Sequence, residues 1–379
     1  MIGSESRKEE ARMKKIMLVF GTRPEAIKMC PLVKELKKRE HLRISVCVTG
    51  QHREMLDSVL HAFGVTADHD LCIMKEKQTL FDITADILRR IQAVLCAEAP
   101  DLVLVHGDTS TAFVAALACY YSGIPVGHVE AGLRTYDIQS PFPEEFNREA
   151  ISLIARYHFA PTTRAAENLL REGKDENRIF VTGNTAIDAL KTTVSPHFTH
   201  EALDWAEGSR LILITAHRRE NLGEPMRRMF RAIKRVLSEH PDVKALYPIH
   251  KNPLVRKVAE EELTDVSNMR IIEPLDVISC HNIMAKSYMI LTDSGGIQEE
   301  APALGKPVLV MRDTTERPEG IAAGTLRLVG TEEDAIYESF KLLLNDEALY
   351  TSMAEAKNPY GDGNACQYIA DVIEKDILS

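Results

Sequence analysis

Short apolar runs recur along the chain, each closed by glycine or a polar turn, and longer amphipathic stretches separate them. The run Ile16–Phe20 in KIMLVFGTRPEAIK stops at Gly21. A continuous apolar run bounded by glycine predicts a strand covered on both faces. The same pattern predicts strands within 43–50, 101–110, 210–217, 288–296 and 307–311, and shorter ones within 125–130 and 178–183. Between them, apolar residues at 80, 83, 87, 88, 91, 94 and 95 form a helical stripe across 79–99. The segment 111–123 is apolar all round and predicts a buried helix. Over 225–240, Met229, Phe230, Ile233, Val236 and Leu237 share one helical side.

Strand–helix alternation of this kind predicts parallel sheets covered by helices. The units fall into two sets, one from Lys14 to Gly183 and one from Leu211 to the glycine-rich NPYGDGN at 358–364. The stretch 184–200, broken at Pro196-His197, reads as a hinge and linker. The expected architecture is α/β, two Rossmann-like doubly wound domains facing a central cleft. Strand C-termini and helix N-termini would meet there.

Composition narrows the function. The 379 residues carry a formal net charge of −10, which disfavours non-specific nucleic-acid binding through phosphate neutralisation. No apolar run reaches a membrane-spanning length. The polar first 13 residues have no signal-peptide core and read as an extension. Seven scattered cysteines without a C-x-x-C pair suit buried free thiols in a reducing cytoplasm.

Candidate chemistry gathers at the predicted strand ends. The first strand is followed by GTRPEAIK rather than a dinucleotide or P-loop fingerprint, with Arg23 and Lys28 placed for an anion. The segment 128–151, HVEAGLRTYDIQSPFPEEFNREAI, crowds Glu130, Asp137, Glu144, Glu145 and Glu149 with Arg134 and Arg148. Pro141 and Pro143 bar one continuous helix through it. Such a stretch is either a salt-bridged loop or an acid/base set with an anion clamp. TDSGGIQEE supplies Asp293 or Ser294 as a helix cap, Gly295 and Gly296 for close backbone approach, and Glu300 further along for ribose hydroxyls. His217, Arg218 and Arg219 leave another strand, His250 leaves a further one, and Arg317 sits in a loop. The D-x-D at 68–70 resembles a metal motif, but a three-residue match is weak.

Ten stretches occur in order: FGTRPEAIKMCPLV, TGQHREML, VHGDTST, HVEAGLRT, PFPEEFNR, TAHRRENLG, PIHKNP, EPLDV, LTDSGGIQEEAP and TTERPE. Together they resemble the non-hydrolysing UDP-N-acetylglucosamine 2-epimerases of bacteria, from Lys14 onward. The resemblance implies a GT-B-like fold and a homodimer. It also implies a final helix, 365–378, returning to the first domain. Domains are then expected at 14–183 plus 365–379 and at 184–364. The implied reaction interconverts UDP-GlcNAc and UDP-ManNAc without metal or other cofactor.

The same resemblance selects Asp108, Glu130, Glu144 and His217 as catalytic. It places Arg23, Lys28, Arg148, Ser294, Gly295, Gly296, Glu300 and Arg317 on substrate. Uracil is expected beside 273–280, where Cys280 stands in a position often aromatic in the family. Some members bind a second UDP-GlcNAc as activator; the matching positions are Gln51, Lys77, Gln78, Glu144, Arg218 and His250. Lys77 replaces a common arginine and Glu54 a frequent glutamine, so weaker activation is expected. Rival readings are a hydrolysing epimerase, a GT-B glycosyltransferase using a UDP-sugar, and a catalytically silent nucleotide-sugar sensor.

Overall fold

The computed structural model describes residues 13–50, 53–75, 78–315 and 317–378. Thirteen strands appear among them: β1 (Lys14–Phe20), β2 (Leu42–Val48), β3 (His69–Asp70), β4 (Leu102–His106), β5 (Val126–Val129), β6 (Tyr157–Ala160), β7 (Ile179–Val181), β8 (Arg210–Thr215), β9 (Val243–Pro248), β10 (Met269–Ile272), β11 (Met289–Thr292), β12 (Val308–Val310) and β13 (Leu326–Leu328). They form two sheets, with orders β3-β2-β1-β4-β5-β6-β7 and β10-β9-β8-β11-β12-β13. Every strand pair is parallel. Both orders reverse beside a central strand, between β1 and β4 and between β8 and β11, the doubly wound pattern.

The chain divides into two compact units, one ending at Thr185 and resuming at Asn364, the other spanning Ala186–Gly363. In the first, Ile16 to Phe20 are fully buried, as are Val103 to Val105 and the helix residues Ile87 and Ile91. Each such side chain contributes about 2 kcal/mol through burial. The last helix, Ala365–Leu378, lies on the helix Arg23–Leu36 of the same unit. Arg39 reaches Asp371 at 2.6 Å and Glu374 at 3.3 Å, and Tyr157 donates to Asp376 at 2.6 Å. In the second unit, Met229, Phe230, Ile233 and Val236 of the helix Glu224–Glu239 are buried in one core with Tyr247 of β9.

Two expectations are corrected. The stretch 184–200 is not a plain linker, because Thr185–Thr193 is a helix with Ala186, Ile187, Ala189 and Leu190 buried. Its apolar positions outweigh the break, which falls beyond the helix end. The cysteines are all unpaired, but Cys72 and Cys96 are exposed rather than buried. Cys96 lies one residue past Leu95, on the outer side of the amphipathic helix Leu80–Glu98.

Candidate active site

The acids named as catalytic lie in the first unit, past the ends of neighbouring strands. Asp108 follows β4, Glu130 follows β5, and Glu144 opens the helix Glu144–Ile154 directly after Pro143. Glu130 holds a left-handed backbone, φ 64°, uncommon for a residue with a Cβ. Its Oε2 accepts from Asn184 Nδ2 at 2.8 Å and from the Lys28 ammonium. The His106 Nε2 stands 3.7 Å away. Lys28, expected on substrate, is thus paired with an acid, and Asn184 is a partner that sequence reading missed.

Arg148 grips Asp108, with Nη2 at 2.7 Å and Nε at 2.9 Å from Oδ2. Its Nη1 donates to Glu145 at 2.6 Å. Burial pushes the Asp108 carboxyl above the usual carboxylate range; Arg148 opposes that, and the charges of Glu130 and Glu144 reinforce it. The three acids therefore share one electrostatic environment. Glu145, fully buried, also accepts from the Thr135 and Tyr136 amides at 2.7 and 2.8 Å, fixing the loop before the prolines.

The turn after β1 is built by a capping box in which Thr22 and Glu25 exchange bonds. Glu25 accepts from the Gly21 and Thr22 amides and from the Thr109 hydroxyl at 2.7 Å. The turn carrying Arg23 is thereby stitched to the turn carrying Asp108. The T-x-x-E spacing was a readable signal for Glu25; nothing local announced the Thr109 bond. Beneath these turns three histidines are buried, His106 on β4, His128 on β5 and His158 on β6. Burial lowers their pKa values to about 4, about 3 and about 4.

In the second unit, Thr215 of β8 and Thr292 of β11 are the last paired residues at the switch point. Asp293 follows, with no exposed surface. Its Oδ2 accepts from the His217 and Arg218 amides, both at 2.9 Å, and from Asn221 Nδ2 at 3.1 Å. Ser294 is the N-cap residue of the helix Gly295–Ala303 but makes no side-chain cap bond. Asp293 instead holds the loop after β8. The His217 ring stacks on His250, centroids 5.2 Å apart and planes at 11°. Burial lowers the His217 pKa while Asp293 opposes that shift.

Gly295 and Gly296 open their helix, and Glu300 lies on it with Oε2 3.5 Å from His281 Nε2. Arg317 Nε donates to the buried Glu299 at 2.5 Å. Cys280 is half-buried on the helix Val277–Lys286, whose first turn is capped by Asp276. Of the activator positions, Arg218 and His250 flank His217, whereas Gln78 and Glu144 belong to the first unit. Gln78 bonds its own loop, to the Lys75 amide and the Ile73 carbonyl. Gln51 and Lys77 lie outside the described residues. Asp68 and Asp70 bond the Val46 and Cys72 amides, and His69 faces Glu98. Among the described residues no group of three or more potential ligands could hold a metal ion.

Residues 34–374 match the family model described as UDP-N-acetylglucosamine 2-epimerase. The chain belongs to that family. The UDP-N-acetylglucosamine 2-epimerase of Bacillus subtilis is 58% identical over 357 residues, 94% of each chain. The crystal structure of the UDP-GlcNAc 2-epimerase of Neisseria meningitidis bound to UDP-GlcNAc is 49% identical. It superposes with a TM-score of 0.88 over 96% of this chain and 100% of that one. A glycotransferase of kitacinnamycin, only 14% identical, has a TM-score of 0.67 over 96% and 99% of the two chains, a likeness of fold alone that agrees with a GT-B-like epimerase. No described helix of this family member is long and apolar enough to cross a membrane.

Proposed function

We propose that the chain is a non-hydrolysing epimerase that interconverts UDP-GlcNAc and UDP-ManNAc by eliminating UDP and adding it back. The C2 hydrogen of the sugar is not acidic, since no carbonyl adjoins it. Departure of UDP from C1 changes that: positive charge at the anomeric carbon makes the C2 proton removable. Loss of that proton gives 2-acetamidoglucal and UDP. Protonation on the other face, with UDP returning to C1, gives the epimer. The observation that carries this reading is the shared environment of Asp108, Glu130 and Glu144, one of them biased by burial toward its neutral form. An acid that burial and two acidic neighbours push toward its neutral form suits a reaction that both takes and gives a proton.

The leaving diphosphate is assigned to the second unit. The backbone amides of Gly295 and Gly296 and the helix they open favour an anion. His217 is assigned to acid/base work or to the leaving group, and Glu300 to ribose. Activation by a second UDP-GlcNAc is assigned to the Arg218–His250 neighbourhood. A hyperbolic velocity curve unaffected by added UDP-GlcNAc in the reverse direction would remove that element.

A homodimer is supported by apolar side chains on adjoining helices of the first unit. Phe81, Tyr120, Tyr121 and Leu153 are 87, 66, 69 and 78% exposed. Light scattering after gel filtration tests it, since a monomer at working concentration contradicts it. Seven unpaired thiols fit a cytoplasmic setting.

The deciding experiment is proton NMR of UDP-GlcNAc with the protein in D2O. UDP-ManNAc deuterated at C2 is expected. Free ManNAc would mark a hydrolysing epimerase, and bound UDP without exchange or product a transferase or sensor.

A further inference from the structure

We propose that Asp293 is a positioning residue that fixes the tautomer of His217, keeping the ring proton on Nδ1 and turning Nε2 into the proton acceptor. Its mechanistic consequence rests on the function proposed above; the pairing itself does not.

The two oxygens of Asp293 have different tasks. Oδ2 takes three hydrogen bonds, from the amides of His217 and Arg218 and from Asn221. Oδ1 is buried and has no hydrogen-bond partner among the described residues. The His217 Nδ1 lies 3.6 Å from it. A buried carboxylate oxygen without a donor is costly, and a small rotation of the imidazole supplies one. The surroundings hold the ring for that contact. His250 stacks on its face, and the His250 Nδ1 accepts from the Asn252 amide at 3.0 Å, so that ring carries its neutral-form proton on Nε2. Asn221 also donates to the Met311 carbonyl at 3.3 Å, and Tyr247 donates to the Ala216 carbonyl at 2.7 Å. The loop is therefore tied on both sides of His217.

Among the described residues, the charged and titratable groups that act most strongly on His217 are Asp293, His250, Arg218 and Glu220. Of these, Asp293 is the one whose position fixes both the backbone and one ring nitrogen of His217. When Nδ1–H points at a carboxylate, the opposite nitrogen holds a lone pair and can take a proton. The arrangement has the logic of a carboxylate orienting a catalytic histidine, set here across the β8/β11 switch point.

Asp293→Asn separates the tasks. The amide oxygen can still accept from the His217 and Arg218 amides, but the amide nitrogen then faces Nδ1. A donor there requires Nδ1 to accept, so the neutral ring must carry its proton on Nε2. Nitrogen-15 NMR of protein labelled at histidine, assigned with His217→Gln, reads this without any turnover. Wild-type His217 is expected with Nδ1 protonated and Nε2 bare in its neutral form; Asp293→Asn is expected with the two exchanged.

In turnover, Asp293→Asn should lower kcat by about 100-fold or more with KM within about threefold. Adding Asp293→Asn to His217→Gln should cost nothing further. A wild-type ring protonated on Nε2 overturns the proposal even if the variant does not fold. So does a variant that retains both tautomer and kcat. The expected tautomers without any wild-type epimerisation would leave the pairing standing and overturn the function instead.

Discussion

The guanidinium of Arg148 spans two carboxylates, meeting Asp108 at 2.7 Å and the fully buried Glu145 at 2.6 Å. The first of these acids is free to change its charge only as far as Arg148 allows. Burial raises the Asp108 pKa and Arg148 lowers it.

Arg148→Met removes the opposing effect, so the Asp108 pKa must rise further. The acid limb of the pH–rate profile should move to higher pH, and kcat at neutral pH should fall about 100-fold. Arg148→Lys keeps the charge but loses the fork, and should lie between. An unmoved acid limb in Arg148→Met would detach Asp108 from the rate.

Glu144→Gln tests the second acid. The side chain is only partly buried at the first turn of its helix, so the unfolding free energy should hold within about 0.5 kcal/mol. Turnover should drop by at least about 100-fold. Wild-type kcat in this variant would refute a proton-transfer role.

Gly296→Ala probes the proposed diphosphate site. An added Cβ meets nothing nearer than the Glu300 carboxylate at 3.8 Å. The methyl should stabilise the helix slightly. It should weaken UDP binding about tenfold if phosphate lies against this backbone. Calorimetry decides; unchanged affinity would place the phosphates elsewhere.

The buried histidines predict an acid-sensitive fold. Unfolded histidine titrates near 6.5, whereas His106, His128 and His158 titrate at about 4, about 3 and about 4 in place. Between those values the unfolded chain binds protons that the native chain refuses, so stability falls as pH drops. Each contributes about 1.4 kcal/mol per pH unit there. Their contribution is whole above about pH 6.5. Denaturant midpoints should decline from about pH 6.5 to 4, and less steeply in His158→Gln. A flat profile would contradict the burial argument.

Elements rich in aliphatic residues are legible in the sequence alone, as β1, β4 and β8 show. β6 is not: Tyr157–Ala160 is buried throughout, yet tyrosine and histidine interrupt its apolar pattern. β3, β10 and β13 have two to four residues and carry too little periodicity to read. For the candidate site, strand ends point to where polar residues gather. The pairings do not show, because their partners are remote in sequence. Lys28 and Glu130 are 102 residues apart, and His217 and Asp293 are 76 apart. Asp293 reads as a helix cap because local spacing cannot reveal a neighbouring strand's loop.

The helix Ala365–Leu378 belongs to the first unit although the whole second unit precedes it in the chain. A ribosome therefore releases the second unit's strands while the first still lacks a wall. Cys366, Ile369, Ala370 and Ile373, all buried in the finished fold, arrive only after the whole second unit. Until then the surface of the helix Arg23–Leu36 on which this last helix lies stays open to solvent. The first unit is thus completed after the second, and a stop codon just past Gly363 would wound the beginning of the chain more than its middle.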